Sequence, residues 1–276
     1  MIRKRRIELL VLMILALIIL SLYVFPYLYM VLTSFKTPNE VLSIPPALFP
    51  KQFSIDNYTQ LSTYKYLLKT FFNSFIIAVI ATFGTLLIAI PAAYGITRYN
   101  ARYGRIFLGV ALVTRMVPYI SVALSLFFLM KNLKLVGTYL AVALGHMTVS
   151  MPLAIWLLAS FFEGIPSELE EAARVDGCSR FGALLKVIIP ISLGGIAVTA
   201  IFSFLASWND FLFSLLLTST NTKTVPLAIA EFNSQYGTVW GIMTSLATIY
   251  SLPVIFVSFF LQKKIVAGAT MGAVKG

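Results

Sequence analysis

Half of the acidic side chains of this chain fall in one short stretch. Residues 163–177 hold five of the ten Asp and Glu residues, together with alanines and turn formers. Ser167 and Glu170, three positions apart, predict a capping box at the start of a helix, where acids also suit the helix dipole. Gly177 can end such a helix in a left-handed conformation. The stretch therefore predicts a short helix followed by a glycine turn.

A second helix is predicted directly after this turn. Ser179 is suited to cap it, and Pro190 interrupts its backbone hydrogen bonds further along. The apolar side chains that share one face of it at helical spacing are Phe181, Leu184, Leu185 and Ile188. Residues 163–190 are therefore expected to form two helices joined at Gly177.

The first of these helices has the properties of a docking element. Ala172 and Ala173 permit close approach, while Glu171 and Asp176 can form hydrogen bonds across an interface, so the helix suits a groove in a partner protein. An ordinary helix at a membrane surface would show a similar pattern. The residue types alone leave that alternative open.

One glycine pattern in the same segment suggests nucleotide binding but lacks the chemistry for it. The spacing of Gly177 and Gly182 is that of a phosphate-binding loop, yet Ala183 and Leu184 stand where Lys and Ser or Thr would reach the phosphates and Mg²⁺. If ATP drives this chain, another subunit must bind it.

The composition of the chain indicates which structural elements position the acidic segment. Of the 276 residues, 59% are hydrophobic and only 11% are charged, against roughly 25% charged in soluble domains. Six apolar stretches are long enough to cross about 30 Å of hydrocarbon as helices. They are residues 9–32, 71–96, 106–130, 138–162, 191–217 and 240–262. The expected fold class is all-α, since barrel strands would be shorter and would alternate in polarity.

The basic residues predict how this bundle is oriented. With the N-terminus inside, thirteen of the 21 Lys and Arg residues lie in cytoplasmic segments, seven lie outside, and Arg115 alone falls within a span. The positive-inside rule therefore favours both termini in the cytoplasm, and the first span is expected to be a retained signal anchor. The net charge of +11 is spread over short loops, which argues against nucleic-acid binding.

Charged and polar groups within the predicted spans are candidates for a transport path. Arg115 and Asp210 are the only deep basic and acidic residues, and charge at such depth usually faces a cavity or a partner. Trp208 and Asn209 suit sugar recognition through an aromatic face and an amide. Structural packing or subunit contact for the charges, and interfacial anchoring for the tryptophan, are the alternatives.

The remaining chemistry-bearing residues indicate neither catalysis nor a metal site. His146 has no second ligand at a suitable spacing, so a hydrogen-bonded histidine at a helix contact is expected. Cys178 is the only cysteine, which excludes an intrachain disulfide. The outer loops 33–70 and 218–239 are either partner-binding segments or solvated connectors.

Several motifs together resemble a known family. Glu171-Ala172-Ala173, with Gly177 four residues later and then Ile189-Pro190, is similar to the EAA loop of permease subunits in binding-protein-dependent ABC importers. The likeness covers nearly the whole chain and points to the carbohydrate branch that includes the smaller maltose/trehalose permease subunit. The further motifs that carry it are Asn73-Ser74, Ala92-Ala93-Tyr94, Met116-Val117-Pro118, Trp208-Asn209-Asp210 and Gly272-Ala273-Val274-Lys275-Gly276.

The resemblance implies a division of labour between subunits. It implies a multi-pass chain of a prokaryotic cell membrane that is not itself an enzyme. It also implies a second permease subunit, two ATPase subunits that bind ATP and Mg, and an external sugar-binding protein. Residues 163–190 would be the coupling loop seated in an ATPase, and the residues that couple would be Glu171, Ala172, Ala173, Asp176, Gly177 and Pro190. The outer loop 218–239 would help dislodge sugar from the binding protein.

The same resemblance implies three regions along the chain. Residues 1–70 would be an anchor helix with the first external loop, 71–262 the transmembrane core, and 263–276 a cytoplasmic tail. Two rival functions make other demands on the sequence. A secondary transporter should show paired repeats and coupling charges at mid-membrane, and an intramembrane enzyme needs a nucleophile and a base at one depth. The first leaves the EAA-like loop unexplained, and the second is disfavoured because the one histidine and the one cysteine fall in different compartments.

Overall fold

The computed structural model describes residues 2–99, 101–234 and 237–273, and almost all regular structure in these ranges is helical. The first helices in chain order are α1 (Ile2–Ser34), α2 (Pro38–Val41), α3 (Asp56–Thr63), α4 (Tyr66–Tyr99), α5 (Ala101–Val113), α6 (Tyr119–Asn132) and α7 (Tyr139–Glu163). Then follow α8 (Ser167–Val175), α9 (Arg180–Ala183), α10 (Ile189–Ile191), α11 (Leu193–Trp208), α12 (Leu212–Leu217), α13 (Val225–Glu231), the antiparallel strands β1 (Asn233–Ser234) and β2 (Gly237–Thr238), and α14 (Trp240–Ala273).

Some sequence predictions concern parts of the chain outside this description. Side chains are described for residues 8–98, 103–104, 106–233 and 237–259. The side chains of the basic cluster Arg3–Arg6 therefore lie outside the description. The end of the C-terminal motif, Val274–Gly276, lies outside the described residues, as do Gln235 and Tyr236 of the second outer loop.

Among the described residues, four helices are long and apolar enough to cross a membrane. They are Glu8–Ser34, Tyr66–Arg98, Tyr139–Glu163 and Trp240–Phe259. They overlap four of the six predicted spans, and each holds one internal proline. Lipid offers no hydrogen bonds to the backbone, so continuous helices are expected where the apolar runs are longest. The helical fold class is confirmed, and the spans number four to six depending on how two bent helix pairs are counted.

The predicted third span, residues 106–130, is not one straight helix. A 3₁₀ turn at Thr114–Met116 follows α5, and the two halves of the stretch meet at 93°. Val117 before Pro118 is extended, with φ −67° and ψ 133°. The cause is local, because a proline disfavours helical backbone at the residue before it and removes a helix donor itself.

The predicted fifth span, residues 191–217, is also wrong as a single helix. It divides into α11 and α12, which are separated by Asn209–Phe211. Before it, the pair Arg180–Ile191 and Leu193–Trp208 is bent by 82°. Pro190 falls in α10, where a proline is tolerated near a helix start, and the chain turns two residues later at Ser192. Proline therefore marks this bend but not its position.

By contact density the chain forms two compact units. The first comprises residues up to Leu67 with Ile229–Leu252. Its outer loop is folded around a buried lysine: Lys36 is 2% exposed, and its Nζ donates to the carbonyl of Ala47 at 2.6 Å and lies 4.4 Å from the Tyr29 ring centre. The Asn57 amide donates to the carbonyls of Ser34 and Lys36, at 2.9 Å each.

The second unit comprises Leu68–Ala228 and Pro253–Gly276 and contains α7 as its central helix. Small residues let helices approach it closely, as is usual where lipid gives no hydrophobic drive for association. A Cβ atom placed on Gly195 of α11 would overlap Cγ of Phe161 on α7. Thr85 of α4 and Ser150 of α7 share a buried hydroxyl hydrogen bond of 2.9 Å.

Candidate functional site

The segment 163–190 contains the predicted pair of short helices. Helix α8 ends at Val175, and Gly177 has a φ of +88°. The amide of Cys178 donates to the carbonyl of Ala173 at 3.0 Å, and that of Gly177 to the carbonyl of Arg174 at 3.1 Å. The left-handed turn thereby satisfies carbonyls of the last helical turn. A Cβ atom at Gly177 would meet no neighbour, so the backbone angle, not space, favours glycine here.

The second helix starts as predicted but changes form within one turn. The Ser179 hydroxyl accepts from the amide of Gly182 at 3.1 Å. A π-helical turn at Leu184–Ile188 then separates α9 from α10. The predicted apolar face is divided, because Leu184 and Ile188 are buried whereas Phe181 and Leu185 are exposed.

The predicted capping box of Ser167 and Glu170 is wrong. Pro166 stands at the cap position of α8, and no side chain caps the helix there. Instead, the Glu170 carboxylate accepts a hydrogen bond of 2.6 Å from the Tyr94 hydroxyl and forms an ion pair of 3.5 Å with Arg98 Nε. Partners on α4 therefore outcompete the local cap, because a shielded carboxylate gains more from a cation and a phenol.

Arg98 and Tyr94 make further contacts around this carboxylate. Arg98 Nη2 donates to the carbonyls of Phe162 at 3.2 Å and Ile165 at 2.9 Å, close to the end of α7. Tyr94 is 5% exposed, and its hydroxyl also lies 3.3 Å from the carbonyl of Arg180. Sequence reasoning missed both residues. The available signal was a tyrosine and an arginine one turn apart at the polar end of an apolar helix.

The opposite face of α8 is open. Glu171, Ala172, Asp176 and Gly177 are exposed, and Ala173 is half-buried. Val175, between them, is 87% exposed, which is unusual for a β-branched apolar side chain. Four of the six predicted coupling residues are thus exposed in or directly after α8, Ala173 is half-buried there, and Pro190 lies beyond the π turn in α10.

A second polar cluster lies where α11 breaks. His146 of α7 is 2% exposed, and its Nε2 lies 3.0 Å from Asp210 Oδ1. Its Nδ1 lies 2.6 Å from the Ser207 hydroxyl, and Ser214 Oγ is 3.4 Å from Nε2. Because a carboxylate only accepts, the proton sits on Nε2. The cluster confirms the predicted helix-contact histidine, and its carboxylate partner comes from far along the chain.

Asp210 also holds the start of the next helix. Its Oδ1 accepts from the backbone amides of Phe213 at 3.0 Å and Ser214 at 3.2 Å. Of its predicted companions, Asn209 is exposed, whereas Trp208 is 3% exposed and stacks on Phe204 with ring centres 5.5 Å apart. The tryptophan is therefore packed in this chain, and the asparagine is accessible.

Arg115 lies in the 3₁₀ turn between α5 and α6 and not inside a helical span. It is exposed and lines a cavity of about 210 Å³ with Thr114, Tyr119, Thr148 and Phe213. Asp210 pairs with His146, so the two predicted path charges do not form a pair with each other. Among the described residues, no group of three His, Cys, Asp or Glu side chains is placed to hold a metal ion.

Known proteins share this architecture and sequence. Residues 84–270 match the family described as "Binding-protein-dependent transport system inner membrane component". A probable ABC transporter permease protein y4oR of Sinorhizobium fredii is 36% identical over 92% of this chain and 91% of its own length. The trehalose/maltose transport system permease protein MalG of Thermococcus litoralis is 33% identical over 95% of both chains.

A solved structure agrees in fold. A chain of a bacterial ABC transporter involved in the import of the acidic polysaccharide alginate has a TM-score of 0.79, with 95% of this chain and 97% of that chain covered, at 21% identity.

Proposed function

We propose that this chain forms half of the translocation path of a di- or oligosaccharide importer. The chain belongs to the family of binding-protein-dependent transport system inner membrane components and is a permease of the carbohydrate ABC importers. In this proposal it takes its energy from a cytoplasmic ATPase through residues 163–190. It is a multi-pass inner-membrane chain and not the catalytic subunit.

The observation that carries the proposal is the division of α8 into two faces. Glu170 is anchored to α4, while Glu171, Ala172 and Val175 are exposed on the other side. A short helix that is fixed on one face and open on the other fits a groove of a second protein. Exposed small, apolar and acidic side chains together supply close approach and hydrogen bonding.

The proposal extends to the rest of the assembly. We place six crossings with α8 between the fourth and fifth, and both termini in the cytoplasm. The anchor helix and the external loop comprise residues 1–70. The core comprises residues 71–262, and the tail comprises residues 263–276. The partners are a second permease subunit, two ATPase subunits that bind ATP and Mg, and an external sugar-binding protein. Residues 218–239 face that binding protein.

The proposed sugar path runs past the two helix breaks. Arg115 is exposed beside a cavity, and Asn209 is exposed at the end of α11. Both present hydrogen-bond donors that suit sugar hydroxyls. Asp210 contributes through the shape of the break rather than by direct contact, because its carboxylate is occupied by His146 and two backbone amides. Trp208 supports the same break from its packed position.

The test is reconstitution with the ATPase, permease and binding-protein subunits encoded beside this chain. We expect ATP hydrolysis that rises with the sugar-loaded binding protein. Glu171→Lys and Gly177→Leu should abolish that rise while the chain still inserts, because the first reverses a charge on the open face and the second forbids the left-handed turn. Asp56→Lys, at an exposed acidic residue of α3 outside residues 163–190, is the matched control.

Either of two results would contradict the proposal. Transport that continues without ATP hydrolysis but follows an ion gradient would indicate a secondary transporter. Sugar-stimulated hydrolysis at wild-type level in Glu171→Lys and Gly177→Leu would remove α8 from the coupling path.

A further inference from the structure

Three side chains fasten α8 to the membrane helix α4. Tyr94 and Arg98 of α4 both reach the carboxylate of Glu170, at 2.6 Å to Oε1 and 3.5 Å to Oε2 respectively. The side chains of Arg98 and Glu170 are 12% and 11% exposed, and Tyr94 as a residue is 5% exposed. The contact is thus shielded from water. In such surroundings a charge-assisted hydrogen bond is stronger than at a surface.

The two α4 partners are placed to resist both sliding and rotation of α8. Tyr94 and Arg98 are four residues apart, so they stand on one face of α4 about one turn from each other. Each binds a different oxygen of the same carboxylate. The Glu170 carboxylate is therefore held at two points along α4. Helix α8 cannot slide along α4, or rotate about the α8 axis, without breaking one of these two contacts.

Arg98 extends the connection to a third element. Its Nη2 donates to the carbonyls of Phe162 and Ile165, where α7 ends and the chain turns into α8. One guanidinium therefore joins α4, the end of α7 and α8. The planar fork of arginine suits such a junction, because its donors point in fixed directions.

The anchored residue is adjacent to the open face. Successive helical residues point about 100° apart, so Glu170 faces α4 while Glu171 faces outward. A force applied to the outward face thus acts on the anchored carboxylate through a single peptide unit. In contrast, Glu168 is exposed and forms no part of the junction.

From this geometry we infer that the Tyr94, Arg98 and Glu170 clasp is the mechanical joint that delivers the movement of α8 to α4 and α7. The three residues are positioning residues for coupling and need not touch ATP, sugar or the ATPase. The inference rests on the proposed function, because it takes the outward face of α8 to be held by the ATPase.

The decisive variant is Tyr94→Phe, which removes one oxygen and keeps the ring. Glu170→Gln, nearly equal in shape, removes the charge. The control is Tyr139→Phe, which lies outside residues 163–190. The Tyr139 hydroxyl donates to Asn73 Oδ1 at 2.7 Å, so its loss deletes a similar bond between α7 and α4 away from α8.

The measurement is sugar transported per ATP hydrolysed by the assembled complex in vesicles, with co-purified ATPase as a check of assembly. We expect Tyr94→Phe and Glu170→Gln to lower this ratio about tenfold or more, as loss of a bond to a charged group predicts. ATPase binding should be unchanged. Tyr139→Phe, which removes a bond to a neutral amide, should lower the unfolding temperature by a smaller amount and keep the wild-type ratio.

The outcomes separate the two proposals. If the wild-type complex shows sugar-stimulated hydrolysis and Tyr94→Phe keeps the full ratio, the clasp is only structural and the inference is wrong. Equal loss of the ratio in Tyr139→Phe would likewise overturn it, because general destabilisation would then explain the effect. If the wild-type complex shows no stimulation, the proposed function itself fails.

Discussion

Replacing Asp210 with alanine should destabilise the chain more than any other single change at the break between α11 and α12. The Asp210 Oδ1 atom accepts from two backbone amides, of Phe213 and Ser214, and lies 3.0 Å from His146 Nε2. Alanine leaves both amides and the buried imidazole without this partner. The His146 side chain is 1% exposed, so water cannot replace the lost acceptor there.

The size of the effect follows from these contacts. A hydrogen bond to a charged group contributes about 1.5–3 kcal/mol net, and a buried donor left without its acceptor costs about 1–3 kcal/mol. The contacts share one oxygen and the Asp210 side chain is 15% exposed, so they do not add fully. We expect Asp210→Ala to lower the free energy of unfolding by about 3 kcal/mol. Asp210→Asn, which keeps an acceptor, should cost about half as much.

The assay is thermal or denaturant unfolding of the purified chain in detergent. Asn209→Ala is the control, because Asn209 is exposed and its amide makes only a bond to the carbonyl of Leu205, at 3.0 Å. That variant should change the free energy of unfolding by about 0.5 kcal/mol or less. A double-mutant cycle with His146→Ala then isolates the pair. An Asp210→Ala chain as stable as Asn209→Ala would refute the reasoning.

Two further substitutions test packing and loop anchoring. Gly195→Val should destabilise the chain by about 1–3 kcal/mol, because a Cβ atom there would overlap the ring of Phe161, which belongs to α7 and packs against α11. Full stability of this variant in an unfolding experiment would contradict the close approach of α7 and α11. Asn57→Ala should lower the free energy of unfolding by about 2 kcal/mol, since it leaves the carbonyls of Ser34 and Lys36 without this donor. We expect proteolysis of the outer loop to be faster in this variant than in the control Gln60→Ala.

The sequence predicts the long helices well because their cause is local. A run of apolar residues must be helical in lipid whatever it packs against, and the four unbroken spans follow from this alone. The breaks follow less directly. Pro118 predicts a break, but the 93° bend also depends on packing around the 3₁₀ turn. At the other break no proline interrupts residues 191–217, and Asp210 stabilises a new helix start there.

The polar contacts could not be predicted because they join distant positions. Nothing in the spacing of His146 and Asp210 indicates that they meet, and their pairing requires α7 and α11 to lie side by side. The same holds for Glu170, whose partners lie more than 70 residues earlier in the chain. Local rules favoured a capping box for Glu170, and that prediction failed once an arginine and a tyrosine could reach the carboxylate.

Glu170 and Glu171 show why composition alone gives an incomplete account of the acidic segment. As a sequence they continue a run of acids near the start of a helix, where the helix dipole favours negative charge. In the structure Glu170 is a buried ion-pair partner of α4, whereas Glu171 is exposed. A charge change at Glu170 should therefore act through the membrane helices, and the same change at Glu171 should act through whatever binds the open face. Comparing the two neighbouring substitutions in one assembled complex separates the contribution of each face to coupling.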